Sequence, residues 1–263
     1  MDPRDISFEN PPINEVVIST HFDPQLSDMR SEHIGLFWER IKDEFPEVRQ
    51  QPPVGIAPEL NDKEPFPMPR YWFIADDEIN LIQIQKSAFM FNWRRRSREY
   101  PRFHRNIKPT FDRYFSLFSD FVRTEINVAE PSIALCELTY INLLEHCEFW
   151  AGPHETNKVV PSFSIVDPGI SVLGSPNFNC NYAYIVASDL QININLRSVV
   201  SATQDNVPVL IFEIKAAGPM GQQSNQGTDE WFERAHNEII SCFLDMTNQE
   251  IQDRYWHPKE DVV

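Results

Sequence analysis

The spacing of apolar residues changes period several times along this chain, and each change predicts an element. Across Ile13–Phe22 the period is two, with Val16 and Ile18 alternating with Glu15 and Val17. That reads as a strand, and Pro11-Pro12 stops any helix upstream. Residues 26–45 switch to helical spacing: Met29, Ile34, Phe37, Trp38, Ile41 and Phe45 share one face, and Pro46 ends it. Gly35 sits in mid-helix, where glycine costs about 1 kcal/mol relative to alanine, so it predicts a close backbone approach. Residues 46–70 lose periodicity, and their seven prolines predict a long covering loop.

Residues 71–75 and 80–93 read as a hairpin across the acidic turn Asp76-Asp77-Glu78. In the second strand Ile82 and Ile84 lie on one face, but Phe89, Phe91 and Trp93 lie on the other. This slip of phase near 86–88 predicts a β-bulge or a change of packing partner. The clearest helix follows at 101–125, where Phe103, Ile107, Phe111, Tyr114, Phe115, Phe118, Phe121 and Val122 form one broad stripe. A strand at 133–144 completes the order strand, helix, strand, strand, helix, strand, which is the ferredoxin-like βαββαβ plan.

Beyond residue 150 the pattern predicts four strands, at 159–166, 182–188, 191–199 and 207–216, with a tight turn at Ser188-Asp189. Ile192, Ile194 and Leu196 alternate with Gln191, Asn193, Asn195 and Arg197, so one face of that strand is buried and the other wet. A helix at 229–246 closes the chain, capped by Thr228 or Asp229. The fold class is therefore α+β: antiparallel sheets covered by helices. Residues 1–150 form a ferredoxin-like βαββαβ half with a Pro-rich loop at 46–70. Residues 151–263 form a four-strand meander and a C-terminal helix, packed with the first half as one compact unit. No internal sequence repeat is visible.

Composition changes this picture in two respects. The 263 residues carry 39 Asp+Glu against 23 Lys+Arg, a net charge of −16, yet 41 % are hydrophobic and 19 are Phe. That is enough for a large core and excludes a disordered acidic chain. With only 8 glycines, no Gly-rich phosphate loop is present. The charge is also segregated: residues 86–113 sum to +7, which leaves −23 on the remainder. Arg102, Arg105 and Arg113 fall opposite the Phe stripe of their helix, beside the basic run at 94–98. Arg94, Arg95, Arg98, Arg102 and Arg105 are thus the candidate anion-binding residues, with arginine as fork donor for phosphate or carboxylate. The competing reading is that this face neutralises the acidic remainder of the same chain or of a second subunit. The acidic background weighs against nucleic acid as the ligand.

Three strand carboxylates, Glu15, Glu137 and Glu213, stand in apolar alternation. Each is either paired with a cation such as Arg94 or Arg197, or carries a raised pKa suited to acid–base work. Glu137, Tyr140 and His236 are the weak catalytic candidates. The cluster Glu145-His146-Cys147-Glu148 with His154-Glu155 lacks the convergence a metal needs, so neither metal nor cofactor is expected. Gln83, Gln85, Asn92, Tyr140, Asn142, Asn193 and Asn195 suit a polar sheet face able to recognise a ligand. No GxSxG, P-loop or HExxH motif occurs. The four cysteines form no CxxC pair, and no apolar run reaches the roughly 20 residues of a membrane span. The opening residues show no basic and apolar leader, so a cytoplasmic protein is expected.

Several local patterns together carry a resemblance. They are Pro11-Pro12-Ile13 with Glu15-Val16-Val17, Ile34-Gly35 with Phe37-Trp38, Phe45-Pro46, and Leu81-Ile82-Gln83 with Gln85. Asn92-Trp93-Arg94, Tyr100-Pro101, Glu137-Leu138 with Tyr140 and Asn142, and Ala235-His236 continue it over most of the chain. The chain resembles a sporadically distributed family of bacterial proteins with no assigned activity. The resemblance implies a cytoplasmic accessory or defence-type protein and supplies no catalytic residues. With catalytic signatures missing and charge segregated, the sequence points to a non-enzymatic protein that docks a protein partner or itself, using the acidic surface and the 94–113 patch. The alternative is an enzyme, or a protein that binds an anionic ligand or nucleic acid through that patch.

Overall fold

A computed structural model describes residues 7–55, 67–96, 99–145, 147–165, 176–200, 207–220 and 227–259. In chain order the elements are β1 (Ser7–Phe8), β2 (Ile13–Phe22), α1 (Ser31–Ile41), β3 (Glu47–Gln51), β4 (Arg70–Ile74), β5 (Asn80–Gln85), β6 (Ala88–Arg94) and α2 (Lys108–Phe121). They continue with β7 (Ile133–Glu145), α3 (Thr156–Val159), β8 (Asn179–Ala187), β9 (Leu190–Val200), β10 (Pro208–Pro219), α4 (Thr228–Met246), α5 (Gln249–Ile251) and β11 (Pro258–Lys259). The fold is α+β. One antiparallel sheet of nine strands has the order β3-β4-β5-β6-β2-β7-β10-β9-β8, and β1 pairs with β11 apart from it.

The helices lie on one face of this sheet. Phe37 of α1 meets Phe73 of β4 edge-on, Phe111 and Phe118 of α2 pack tilted against Phe89 of β6, and Phe243 of α4 stacks on Phe212 of β10. The Phe stripe of the second helix therefore supplies the centre of the core. Single turns of wider helix, Phe103–Ile107 and Val122–Ile126, extend α2 at both ends, which accounts for the predicted span of 101–125.

The ferredoxin-like layout of the first half is not what forms. That plan leaves one strand between the two joined by the first crossover helix; here α1 joins β2 to β3 across three strands. The extra strands have two sources. Residues 80–93 are not one bulged strand but the hairpin β5–β6, turning at Lys86-Ser87, so Ile82, Ile84, Phe89 and Phe91 all face the helices. The Pro-rich loop also contains a short strand, β3, paired with β4. In the second half, the strand expected at 159–166 is instead the end of α3 and a turn through 165, and residue 166 lies outside the described residues. Among the described residues the meander has three strands, β8, β9 and β10, and a turn falls at Ser188-Asp189 as expected.

The strand order holds a repeat the sequence hides. Outward from the centre, β2 is followed by β6, β5 and β4, and β7 by β10, β9 and β8. In each half the first strand is central, the last strand lies beside it, and a long helix follows the last strand.

Two glycines behave oppositely. A Cβ on Gly35 would meet nothing within 4 Å, so the close approach expected there does not exist. A Cβ on Gly218 would lie 1.8 Å from the Asp189 carbonyl oxygen. That oxygen accepts a hydrogen bond from Trp231 Nε1 at 2.9 Å, and the Asp189 carboxylate meets Arg234 Nη2 at 2.6 Å, so the β8–β9 turn is clamped to α4.

Candidate functional site

The polar residues singled out in the sequence divide between the two faces of the sheet. On the helix-free face, register sets Arg94, Glu15, Ile141, Glu213, Asn195 and Asn181 abreast across six strands. Hydrogen bonds run along this face: Arg70 Nη1 and Trp72 Nε1 donate to Gln83 Oε1 at 2.7 and 2.8 Å. Gln83 Nε2 then donates to Asn92 Oδ1, and Asn92 Nδ2 to Glu15 Oε1, each at 2.6 Å. Burial pushes the Glu15 carboxyl above its ordinary value, against the pull of Asn92, Arg94 and Arg96. Burial likewise lowers Arg94, whose Nε and Nη2 are buried with no hydrogen-bond partner among the described residues.

The other two strand glutamates are paired on the same face. Glu137 accepts from His21 Nε2 at 2.9 Å and from Lys215 Nζ at 3.1 Å. Burial pushes its carboxyl up, but His21 and Lys215 outweigh that and hold it at about 2. Glu213 meets Arg197 at 3.5 Å. Neither His21 nor Lys215 was singled out by the sequence pattern; both sit one strand away from Glu137, and only the register discloses them.

Tyr140 and Asn142 are on the opposite face and buried, which corrects their expected place on a wet surface. Tyr140 Oη lies 2.8 Å from His236 Nδ1 and 3.2 Å from Tyr100 Oη. The His236 ring stacks on Phe103 at 4.4 Å and meets His104 edge-on at 4.7 Å. Burial, with His104 adding to it, lowers His236 to about 3, and burial raises both tyrosines well above their ordinary value. This is a neutral polar chain sealed in the core. A groove of about 510 Å³ runs beside it, lined by Asn80, Trp93, Tyr100 and Asn106, but the Tyr100 hydroxyl turns inward.

Of the catalytic candidates, the fold brings Tyr140 and His236 together and leaves Glu137 apart from them. Glu137 and Tyr140 stand on opposite faces. Arg94 and Glu137 share a face, but their rows are four residues apart along β2, roughly 13 Å at 3.3 Å per residue. Near neutral pH an imidazole with a pKa of about 3 is a weak base, and a buried tyrosine raised well above its ordinary value is a weak acid.

The basic segment is largely met by the chain's own groups. Arg113 forms a fork with both carboxylate oxygens of Glu44, which also accepts from Tyr114 at 2.6 Å. Lys108 Nζ is buried and lies 2.6 Å from both Asp112 and Asp229. Arg96 meets Glu78 at 3.2 Å, and Arg95 Nη1 donates to the Pro11 carbonyl at 2.7 Å. Arg102 is half-buried and also engaged, Arg105 is exposed, and Arg98 lies outside the described residues. Among the described residues, Arg96, Lys108 and Arg113 thus pair with carboxylates of the acidic remainder.

Among the described residues no group of three His, Cys, Asp or Glu converges as a metal would need, and His146 lies outside them. No described helix is long and apolar enough to cross a membrane. Compared with protein families, curated proteins and solved structures, the chain matches none.

Surface is left over at one edge of the sheet. β8 is the outermost strand, and Tyr184, Ile185 and Val186 on it are 57, 83 and 45 % exposed. Sequence alternation marked this segment only as a strand. The usable signal was that no charge occurs between Asn179 and Ala187.

Proposed function

We propose that this is a non-enzymatic interaction protein that docks a protein partner or a second copy of itself. The observation that carries the reading is β8, an uncharged sheet edge with exposed apolar side chains. Exposed apolar edges are costly to keep unless something covers them. The sealed Tyr140–His236 chain and the paired Glu137 support the same reading, because they are built to stabilise. A cytoplasmic accessory role, as the family resemblance implies, is compatible with it. The test is affinity capture from extract of the source cells, run beside light scattering of the purified chain. The expected result is either self-association or one partner retained in stoichiometric amount, lost in Ile185→Lys; neither being found overturns the reading.

A second reading, an anionic ligand at Arg94, is favoured by the two buried and unpaired guanidinium nitrogens beside Glu15. Calorimetric titration with inorganic phosphate and with a single-stranded oligonucleotide tests it. Heat that disappears in Arg94→Gln supports it, and no heat from either ends it.

A further inference from the structure

We infer that β8 pairs antiparallel with the β8 of a second copy, joining two nine-stranded sheets edge to edge. This rests on the interaction reading above and names its occupant. The two edges of the sheet differ in kind. At one end β3 is five residues long, carries Glu47 and Arg49, and is bracketed by Pro46 and Pro52-Pro53. Charge, brevity and proline are the ordinary means by which an edge is kept from pairing. At the other end β8 runs nine residues, Asn-Cys-Asn-Tyr-Ala-Tyr-Ile-Val-Ala, with no charge, proline or glycine. Among the described residues no strand pairs with its outer edge. Its one irregularity, a bulge between Ile185 and Ala187, leaves Asn179 to Ile185 regular and open to pairing.

The side chains agree. α4 packs on β7, β9 and β10, so Tyr184 projects past the helix layer on one face, while Ile185 projects from the other. Val200, at the end of β9, is 47 % exposed. Pairing of two such edges would cover backbone donors and acceptors together with apolar surface.

Charge selects a second copy as the occupant. A chain of net charge −16 repels its own kind over most of its surface. β8 itself is neutral, and two ion pairs stand beside it, Asp189 with Arg234 and Arg197 with Glu213. A basic or acidic partner would find no charge on β8 itself to pair with. Two identical uncharged strands, related by a two-fold axis, oppose no like charges in any register.

Sedimentation equilibrium of the full chain tests the inference, beside Ile185→Lys and Tyr184→Lys. Both side chains are more than half exposed, so the variants are expected to fold, which circular dichroism checks. The expected result is a species of twice the 30.7 kDa chain mass at micromolar concentration. Each lysine should raise its dissociation constant by about tenfold or more, and hydrogen exchange should protect the outward-pointing amides of 179–185, those not bonded to β9, only in the dimer. A monomer throughout overturns self-pairing, and so does a dimer indifferent to both lysines. So do protected outward-pointing β8 amides in a monomer, which would assign the edge to the chain itself. The interaction reading falls separately, only if partner capture also fails.

Discussion

The hydroxyl of Tyr140 meets Nδ1 of His236 at 2.8 Å inside the layer between sheet and helices. The two residues come from β7 and α4, 96 positions apart, and their contact ties the central strand of the second half to its covering helix. Because the histidine is buried on Phe103, it is a structural group whose protonation opposes folding.

That gives the first expected outcome a definite sign. His236 has a folded pKa of about 3 against an ordinary value of 6.5. Above pH 6.5 neither folded nor unfolded chain binds the proton, and stability is whole. Between 6.5 and 3 the unfolded chain binds it and the folded chain does not, so stability falls with pH. From pH 7 to 5 the loss traceable to His236 is about 2 kcal/mol. Glu137, with a folded pKa of about 2, withdraws its share only below its ordinary 4.5, outside that window. Urea denaturation at pH 7 and pH 5 checks this: the drop should shrink in His236→Leu, whatever that variant costs at pH 7.

Gly218→Ala should be among the most damaging single changes in the chain. The obstacle is the Asp189 carbonyl itself, a backbone atom fixed by Trp231 and backed by the Asp189–Arg234 pair, so it has no side-chain freedom with which to yield. The expected cost is about 3 kcal/mol. Chemical denaturation reads it, and a cost within experimental error would mean the turn is not clamped.

Gly35→Ala should do the opposite. The residue is exposed on α1 and open to solvent where its Cβ would go. The substitution removes the helix penalty of glycine, a gain of about 1 kcal/mol. A higher melting temperature checks it.

These two glycines show how far the sequence could be read. Mid-helix position made Gly35 look structural and gave no hint of Gly218, because a close approach depends on which distant backbone arrives. The helices and central strands were legible, since Phe111 to Phe121 and Val16 to Ile18 face one layer throughout. The hairpin β5–β6 is not distinguishable from a bulged strand by periodicity, because a two-residue turn and a bulge both shift the phase of burial by one. The site residues were legible as types and not as partners. Glu15, Glu137 and Glu213 stood out, but register alone puts Lys215 and His21 beside Glu137 and leaves Tyr140 on the other face. The apolar edge at β8 escaped notice because strand periodicity does not say which strand lies outermost.

The last expected outcome concerns Lys108, the most buried cation of the basic segment. Its ammonium bridges Asp112 of its own helix and Asp229 at the start of α4, over the rings of Phe111 and Phe232 at 5.9 and 5.7 Å. Lys108 has 8 % of its side chain exposed, whereas the carboxylates have 47 and 80 %. Desolvation therefore falls on the lysine alone, and the two directions of breaking the bridge are unequal. Lys108→Met puts an apolar chain of similar length against two phenylalanines and leaves both carboxylates hydrated, so stability should change by less than about 1 kcal/mol. The double variant Asp112→Asn, Asp229→Asn strands a buried ammonium with only amide oxygens to meet it, and about 3 kcal/mol should be lost. Equal effects in the two directions, measured by urea denaturation at pH 7, would mean that the bridge is solvated and does not fasten α2 to α4.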